Sequence, residues 1–280
     1  MTFITRFAPS PTGPLHLGHA YSAMLAHDKA MENGGKFLLR IDDLDQSRAR
    51  DHWEAQIYDD LAWLGLTWEA PVRRQSNHFA DYEMTLNTLS RIGITYACTC
   101  TRRDIEAAAN APQEGVPQFG PDGRIYPGTC RHAGHDHSDA QCIRLNMFAA
   151  CEQALPAQFV ESGQDHSGAH LLDLDTMVPN IGDVVLARPN MAASYHLSVV
   201  LDDAATLVTD VIRGADLFEA TAIHVVLQKL LGLPTPRYHH HKLIRDENGK
   251  RLAKRDDARA IATYRAEGAS PADIRAMVGL

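Results

Sequence analysis

Positive charge is in short supply in this chain. Its 27 lysines and arginines face 35 aspartates and glutamates, a formal net charge of −8. A protein that coats nucleic acid without regard to sequence needs the opposite balance, so that class is excluded, while a local basic surface for one RNA is not. Long apolar runs are missing too. No stretch reaches the length needed to span a bilayer, and the N-terminus lacks a charged segment followed by an apolar one, so a cytoplasmic location is expected. No internal repeat and no low-complexity tract appears. Cysteine is scarce, with five in all, an odd number, and two of them sit as Cys98-Thr99-Cys100. In a reducing compartment that spacing points to a metal more than to a disulfide.

What is present is a soluble globular composition. With 280 residues, 45% of them hydrophobic, the chain can bury a large core as one big α/β domain or two smaller ones. The most informative run is Arg6-Phe7-Ala8-Pro9-Ser10-Pro11-Thr12-Gly13-Pro14-Leu15-His16-Leu17-Gly18-His19. It puts two imidazoles three residues apart where a Pro/Gly-rich loop turns into a helix. Residues three apart share a helix face, and the unpaired N–H groups of a first turn attract phosphate. Gly18, lacking a side chain, lets a flat base approach the backbone. A helix start bearing two surface histidines is the plainer alternative. The Ser10-Pro11-Thr12-Gly13 turn ahead of the pair weighs against it.

The first third alternates strand and helix signals. Phe3–Phe7 is β-rich, a helix is expected from about Gly18 to Met31, and Asn33-Gly34-Gly35 stops it. Lys36–Ile41 reads as a strand running into Asp42-Asp43-Leu44-Asp45. Ile57, Leu61 and Leu64, then Tyr82, Leu86 and Leu89, recur at helical spacing, with Gly65 and Gly93 as stops. This order predicts a parallel sheet with covering helices, and ligands of such sheets gather at the carboxyl ends of strands, where the His16 loop and the Asp42 turn fall. From Tyr96 to about Arg188 the texture changes to Cys, His, Gly, Gln and Pro, with short strand-like pieces at Cys142–Leu145 and Gln158–Val160; an insertion is expected. The α/β pattern resumes at Ser194–Asp203 and continues through Thr206–Asp216 into a helix ending near Gly232. Leu243–Leu252 reads as a hairpin turned by Asn248-Gly249. Behind it Lys254 and Arg255 join Arg251 in a cationic loop able to hold a triphosphate tail, although a solvated basic loop is the simpler reading when it stands alone.

Together these blocks resemble the class I aminoacyl-tRNA synthetases. The N-terminal run looks like their ATP-binding signature, and Arg251-Leu252-Ala253-Lys254-Arg255 sits where that class has its lysine-rich signature. Arg6–Gly13, Leu39–Asp45 and Val211–Asp216 narrow the likeness to the glutamyl and glutaminyl subgroup. A translational member carries a long C-terminal half that grips the anticodon. Here only about two short helices' worth of chain follow Arg255, so the expected relatives are the glutamyl-Q tRNA(Asp) synthetases. That family is a free-standing catalytic core that joins glutamate to queuosine in the anticodon of tRNA(Asp).

The resemblance implies a Rossmann-like parallel sheet divided as follows: 1–95 and 189–240 form the two halves of the nucleotide-binding domain, 96–188 a zinc-containing insertion like an acceptor-binding domain, and 241–280 the lysine-signature loop with C-terminal helices. It implies L-glutamate, ATP with magnesium, and queuosine-bearing tRNA(Asp) as substrates, acted on by a monomer. His16, His19 and Lys254 are the expected catalytic groups, with Gly18, Arg251 and Arg255 completing the ATP site. Arg6 and Arg213 are the expected carboxylate binders, since guanidinium forks match carboxylates. Asp42 would take the α-ammonium, with Ser10 and Tyr195 adding hydrogen bonds. Two positions depart from the family pattern: Asp42 stands where Glu is usual, and Ala253 replaces the signature serine, leaving Lys254 its only lysine.

Three thiolates, Cys98, Cys100 and Cys130, leave one place open on a tetrahedral zinc. By ligand chemistry His132, His135 or His137 fills it; the family pattern, Cys-x-Cys and then Tyr-x-x-x-Cys, puts Tyr126 there. Such a zinc is structural, and Cys142 and Cys151 read as small core residues. Two other functions fit part of the pattern: an atypical glutamyl-tRNA synthetase charging a tRNA 3′ end, or a small-molecule nucleotidyltransferase, a class that is usually shorter and lacks a cysteine-rich insertion.

Overall fold

A computed structural model describes residues 2–109, 119–245 and 259–280. Strand β1 (Ile4–Phe7), helix α1 (Leu17–Glu32), strand β2 (Lys36–Ile41), helix α2 (Asp51–Trp63) and strand β3 (Glu69–Arg74) alternate. The strands pair in parallel in the order β1-β2-β3. The expected stops hold: Gly34, Gly65 and Gly93 all take positive φ. β3 was not legible, because Glu69-Ala-Pro-Val-Arg-Arg is half exposed, and Pro71 cannot donate to a ladder, which suits an edge strand alone.

Helix α3 (Phe79–Arg91) leads into β4 (Thr95–Cys98), α4 (Arg102–Ala109) and the small hairpin of β5 (Phe119–Gly120) and β6 (Gly123–Arg124). Then follow β7 (Cys142–Leu145), α5 (Met147–Ala154), β8 (Gln158–Glu161), β9 (Gly168–Leu171), α6 (Leu174–Ile181) and β10 (Val185–Ala187). This stretch divides in two. β10-β7-β4 form an antiparallel sheet of their own, whereas β8 and β9 extend a second sheet made with later strands.

Helix α7 (Tyr195–Ala205), β11 (Asp210–Gly214), α8 (Thr221–Leu230) and β12 (Arg237–His241) carry that second sheet, ordered β11-β12-β8-β9. β12 hid in the sequence because Arg237-Tyr238-His239-His240-His241 has no apolar alternation. Its parallel pairing with β11 and β8 buries it all the same. The β1-β2-β3 sheet and the parallel part of the second sheet meet at β1 and the start of β11: the Thr209 N–H donates to the Ile4 carbonyl at 2.9 Å, and the Ile4 N–H to Thr209 Oγ1 at 2.8 Å. The carboxyl ends of β1, β2, β11 and β12 therefore open on one cavity.

Two short helices, α9 (Ile261–Ala266) and α10 (Pro271–Val278), close the described chain. Arg275 clamps Asp28 on α1 with two hydrogen bonds of 2.7 and 2.8 Å. Ile261 and Ile274 are fully buried in the core formed by α1, β1 and β2, each contributing about 1.5–3 kcal/mol by leaving water. No helix among the described residues is long and apolar enough to cross a membrane.

Candidate active site

The cavity at these strand ends has a volume of about 370 Å³. Arg6, His16, Gly18, His19, Asp42, Tyr195 and Arg213 all line it, so residues as far apart as 6 and 213 in the sequence share one space. Ser10 is exposed and is not part of the lining. Arg251, Lys254, Arg255 and most of the expected hairpin lie outside the described residues. Before that stretch Leu243 and Ile244 line the cavity; after it Ala260 bridges His16, and the Ile261 N–H donates to the Leu15 carbonyl at 2.9 Å.

His16 caps α1. Its Nδ1 accepts the Gly18 N–H at 3.1 Å, and the His19 Nδ1 accepts the His16 N–H at 3.1 Å. An imidazole nitrogen that accepts from an amide carries no proton, so each neutral ring bears its N–H on Nε2 and can donate there. The rings lie 3.8 Å apart between centroids. No acidic residue occupies the first turn of α1, which leaves the positive end of the helix uncompensated from within. Gly18 has a further reason to be glycine, since a Cβ there would meet the His16 ring at 3.0 Å.

Beneath the cavity lies a network of paired charges. Arg6 donates to both oxygens of Asp203, at 2.9 and 3.2 Å, and Arg40 donates to Asp203 at 2.6 Å and to Asp42 at 2.6 and 3.3 Å. Deeper, Asp202 accepts from Arg73 at 2.7 Å, Gln75 at 2.8 Å and Tyr82 at 2.8 Å. Burial works to raise the Asp203 carboxyl, but Arg6 and Arg40 outweigh it and hold it below its ordinary value. At Asp42 burial wins over Arg40, and the carboxyl is pushed up. Arg40, Lys242, His241 and Asp216 line the cavity without having been picked out from the sequence. Arg40 and Asp216 left a trace there, each inside a block that carries the family likeness, Leu39–Asp45 and Val211–Asp216.

Across the cavity, Arg213 reaches the lining from β11. Its Nε donates to His240 Nε2 at 3.0 Å, its Nη1 to His224 Nδ1 at 3.1 Å, and its Nη2 to Thr221 Oγ1 at 2.7 Å and the Leu217 carbonyl at 3.2 Å. Tyr195, 36% exposed, opens α7 with its ring edge-on to His196 and His224.

The other chemically dense spot is remote in kind. Cys98, Cys100 and Cys130 bring their sulfurs within 4.8 Å of one another, and the Tyr126 hydroxyl lies 3.3 Å from both Cys98 and Cys100. Zinc–sulfur bonds of 2.3 Å at a tetrahedral angle set sulfurs about 3.8 Å apart, so this group fits such an ion. Among the described residues no imidazole joins it; His135 instead contacts Thr99 Oγ1 at 3.3 Å. Cys142 and Cys151 are buried, free thiols.

Comparison with known proteins adds to this geometry. The model of class I tRNA synthetases (E and Q), catalytic domain, matches residues 2–280. The glutamyl-Q tRNA(Asp) synthetase of Rhodobacter capsulatus is 60% identical over 99% of this chain and 100% of its own. That of Nocardia farcinica is 40% identical over 98% of this chain and 82% of its own. Among solved structures, a glutamate tRNA ligase from Elizabethkingia meningosepticum in complex with its amino acid superposes with a TM-score of 0.76 at 25% identity; the match covers 99% of this chain but only 60% of that one. Mycobacterium tuberculosis methionyl-tRNA synthetase bound by methionyl-adenylate, at 11% identity and a TM-score of 0.60, shares the fold, and 64% of its chain is covered.

Proposed function

The chain belongs to the class I tRNA synthetases of the glutamyl and glutaminyl type, in the glutamyl-Q tRNA(Asp) synthetase family, and we propose that it activates L-glutamate with ATP and passes the glutamyl group to queuosine in the anticodon of tRNA(Asp). The observation that carries this reading is one cavity whose lining brings two Nε2–H imidazoles on a helix N-terminus together with Arg213, Asp42 and Tyr195.

In the first step a glutamate carboxylate oxygen bonds to the α-phosphorus of ATP, and the bond from that phosphorus to the bridging oxygen breaks, releasing pyrophosphate. Little covalent chemistry falls to the protein; it holds the reactants in line and meets charge as it develops. His16 and His19 donate from Nε2 to phosphate oxygens, supported by the α1 N-terminus. Lys254, with Arg251 or Arg255, holds the departing pyrophosphate, a role favoured by the anchoring of the neighbouring chain beside His16. Arg213 takes a substrate carboxylate, Asp42 the ammonium, and Tyr195 and Ser10 hydrogen-bond the bound amino acid, while Arg6, first expected to share the carboxylate, has its charge taken up by Asp203. Magnesium accompanies the ATP. In the second step a hydroxyl oxygen of the queuosine cyclopentene ring bonds to the activated carbonyl carbon, the bond from that carbon to the phosphate oxygen breaks, AMP leaves with the electron pair, and the hydroxyl proton passes to solvent.

Zinc, held by Cys98, Cys100, Cys130 and Tyr126, supplies a cross-link that pins β4 to the loop before β7 and takes no part in either step. Metal analysis of the purified chain checks this: about one equivalent is expected, and far less removes the zinc assignment.

The deciding experiment incubates the protein with labelled glutamate and ATP, alone and with queuosine-containing or queuosine-free tRNA(Asp). Pyrophosphate exchange without tRNA, and label only on the queuosine-containing tRNA, are expected. Exchange that needs tRNA, or equal labelling of both tRNAs, overturns the reading in favour of 3′-end charging.

A further inference from the structure

Among the described residues three arginines line the cavity, and they are partnered differently. Arg6 and Arg40 are neutralised by carboxylates at 2.6–2.9 Å, whereas the four hydrogen bonds of Arg213 go to two imidazoles, a hydroxyl and a carbonyl. A guanidinium can only donate, so both imidazole nitrogens facing Arg213 are bare. That places the remaining proton of each ring on its far side, and in both cases an acceptor waits there.

For His240 the acceptor is Glu161. His240 Nδ1–H donates to Glu161 Oε2 at 2.5 Å, while Glu161 Oε1 accepts the backbone N–H groups of His240 and Gly163 at 2.9 and 2.5 Å. For His224 the acceptor is another imidazole: its Nε2–H donates to His196 Nδ1 at 3.1 Å, which obliges His196 to carry its proton on Nε2, and that N–H donates to Asp122 Oδ1 at 3.1 Å. Every ring in this chain of bonds therefore has one permitted tautomer. All three are buried, with exposures of 5% for His240, 2% for His224 and 5% for His196. Burial and the neighbouring Arg213 keep His224 well below its usual range and bring His240 to about 4, so both are neutral at pH 7.

We infer that His224 and His240 are positioning residues that orient Arg213 without neutralising it, their accepting tautomers set by His196 with Asp122 and by Glu161, so that the guanidinium stays a full cation for a carboxylate of the bound amino acid. A carboxylate in their place would hold the same plane but compete with the substrate for the charge. Two neutral acceptors fix the plane and leave the charge, and four of the five N–H groups are used inside the protein. The inference rests on the glutamate reading above.

The test measures KM for glutamate, KM for ATP and kcat in glutamate-dependent pyrophosphate exchange by the full chain and three variants. His224→Leu removes an acceptor from Arg213 and is expected to raise the glutamate KM about tenfold or more, the scale of one hydrogen bond to a charged group, with the ATP KM unchanged. His224→Gln, which offers a carbonyl oxygen, restores most of that loss. Glu161→Gln turns a side-chain N–H toward His240 Nδ1, forces the proton onto the nitrogen facing Arg213, and raises the glutamate KM as well. If His224→Leu shifts the glutamate and ATP constants together, or His224→Gln is as impaired as His224→Leu, the residue is merely structural and the inference falls. Wild-type protein with no glutamate-dependent exchange overturns the functional reading itself and the inference with it, an outcome distinct from active wild type beside an unchanged His224→Leu.

Discussion

The two sides of the cavity floor handle buried charge in opposite ways. Below the ends of β1 and β2, arginines meet aspartates: Asp203 binds Arg6 and Arg40, and Asp42 binds Arg40. Below the ends of β11 and β12, Arg213 meets imidazoles, a hydroxyl and a carbonyl. Charge cancelled inside the protein can hold strands together but has little left for a ligand. Charge held by neutral acceptors does the reverse. The difference separates a girder from a binding group, although both are arginines at equivalent strand ends and looked alike in the sequence.

The strongest way to break this comparison is at Asp203. It is 7% exposed and joins Arg6 on β1 to Arg40 on β2 from the end of α7. Asp203→Ala leaves two buried guanidiniums short of a partner, and a broken buried pair costs about 3–5 kcal/mol. Urea unfolding should show a loss of that size. A variant as stable as the parent would mean that the pairing is incidental and that Arg6 is as available to substrate as Arg213.

How far the sequence could reach is clear from the same residues. The His16 loop, β1, α1 and β2 were legible because each rests on local pattern: a cap, a period, a glycine stop. Seven of the proposed site positions then meet in one cavity because parallel strands present their carboxyl ends together. The partner of Arg6 was out of reach, since Asp203 lies 197 residues away and nothing local marks it. The same holds for β12, whose run of three histidines carries no strand signal and whose His240 instead accepts a hydrogen bond from Arg213 inside the sheet. The cysteine group was legible by spacing, while the relation of β8 to the second sheet depended on β12 and was lost with it.

A smaller effect is expected at Asp60, the counterexample within the better balanced half. It is 1% exposed, and neither carboxylate oxygen has a hydrogen-bond partner among the described residues. Burial, with nearby Asp59, pushes its carboxyl up to about 6. The folded state thus holds this proton more tightly than the unfolded chain does. Its ionisation costs nothing below the unfolded value, and stability falls as pH rises from about 4 to about 6. Asp60→Asn should stabilise the protein at pH 8 by on the order of 1–3 kcal/mol and by almost nothing at pH 4. Thermal melts at the two pH values read the difference. An equal change at both would show that the carboxylate is balanced after all, and that the contrast between paired and unpaired charge does not extend to this half.

The smallest and most discriminating change is Asp42→Glu, because Asp42 stands on the border between the two kinds of site. It lines the cavity, yet both of its oxygens accept from Arg40, at 2.6 and 3.3 Å. If it belongs to the girder, a longer side chain disturbs the pairing with Arg40 and lowers stability without improving binding. If it receives the substrate ammonium, one more methylene carries the carboxylate toward the ligand and replaces a water-bridged contact with a direct one. Bridging waters cost up to about 2 kcal/mol each, so a fall of about threefold in the glutamate KM is the expected gain, with the ATP KM unmoved. A rise in the glutamate KM together with a lower melting temperature would move Asp42 into the girder. Arg213 would then stand as the charged anchor on its side of the cavity, facing an ammonium held by groups other than this carboxylate.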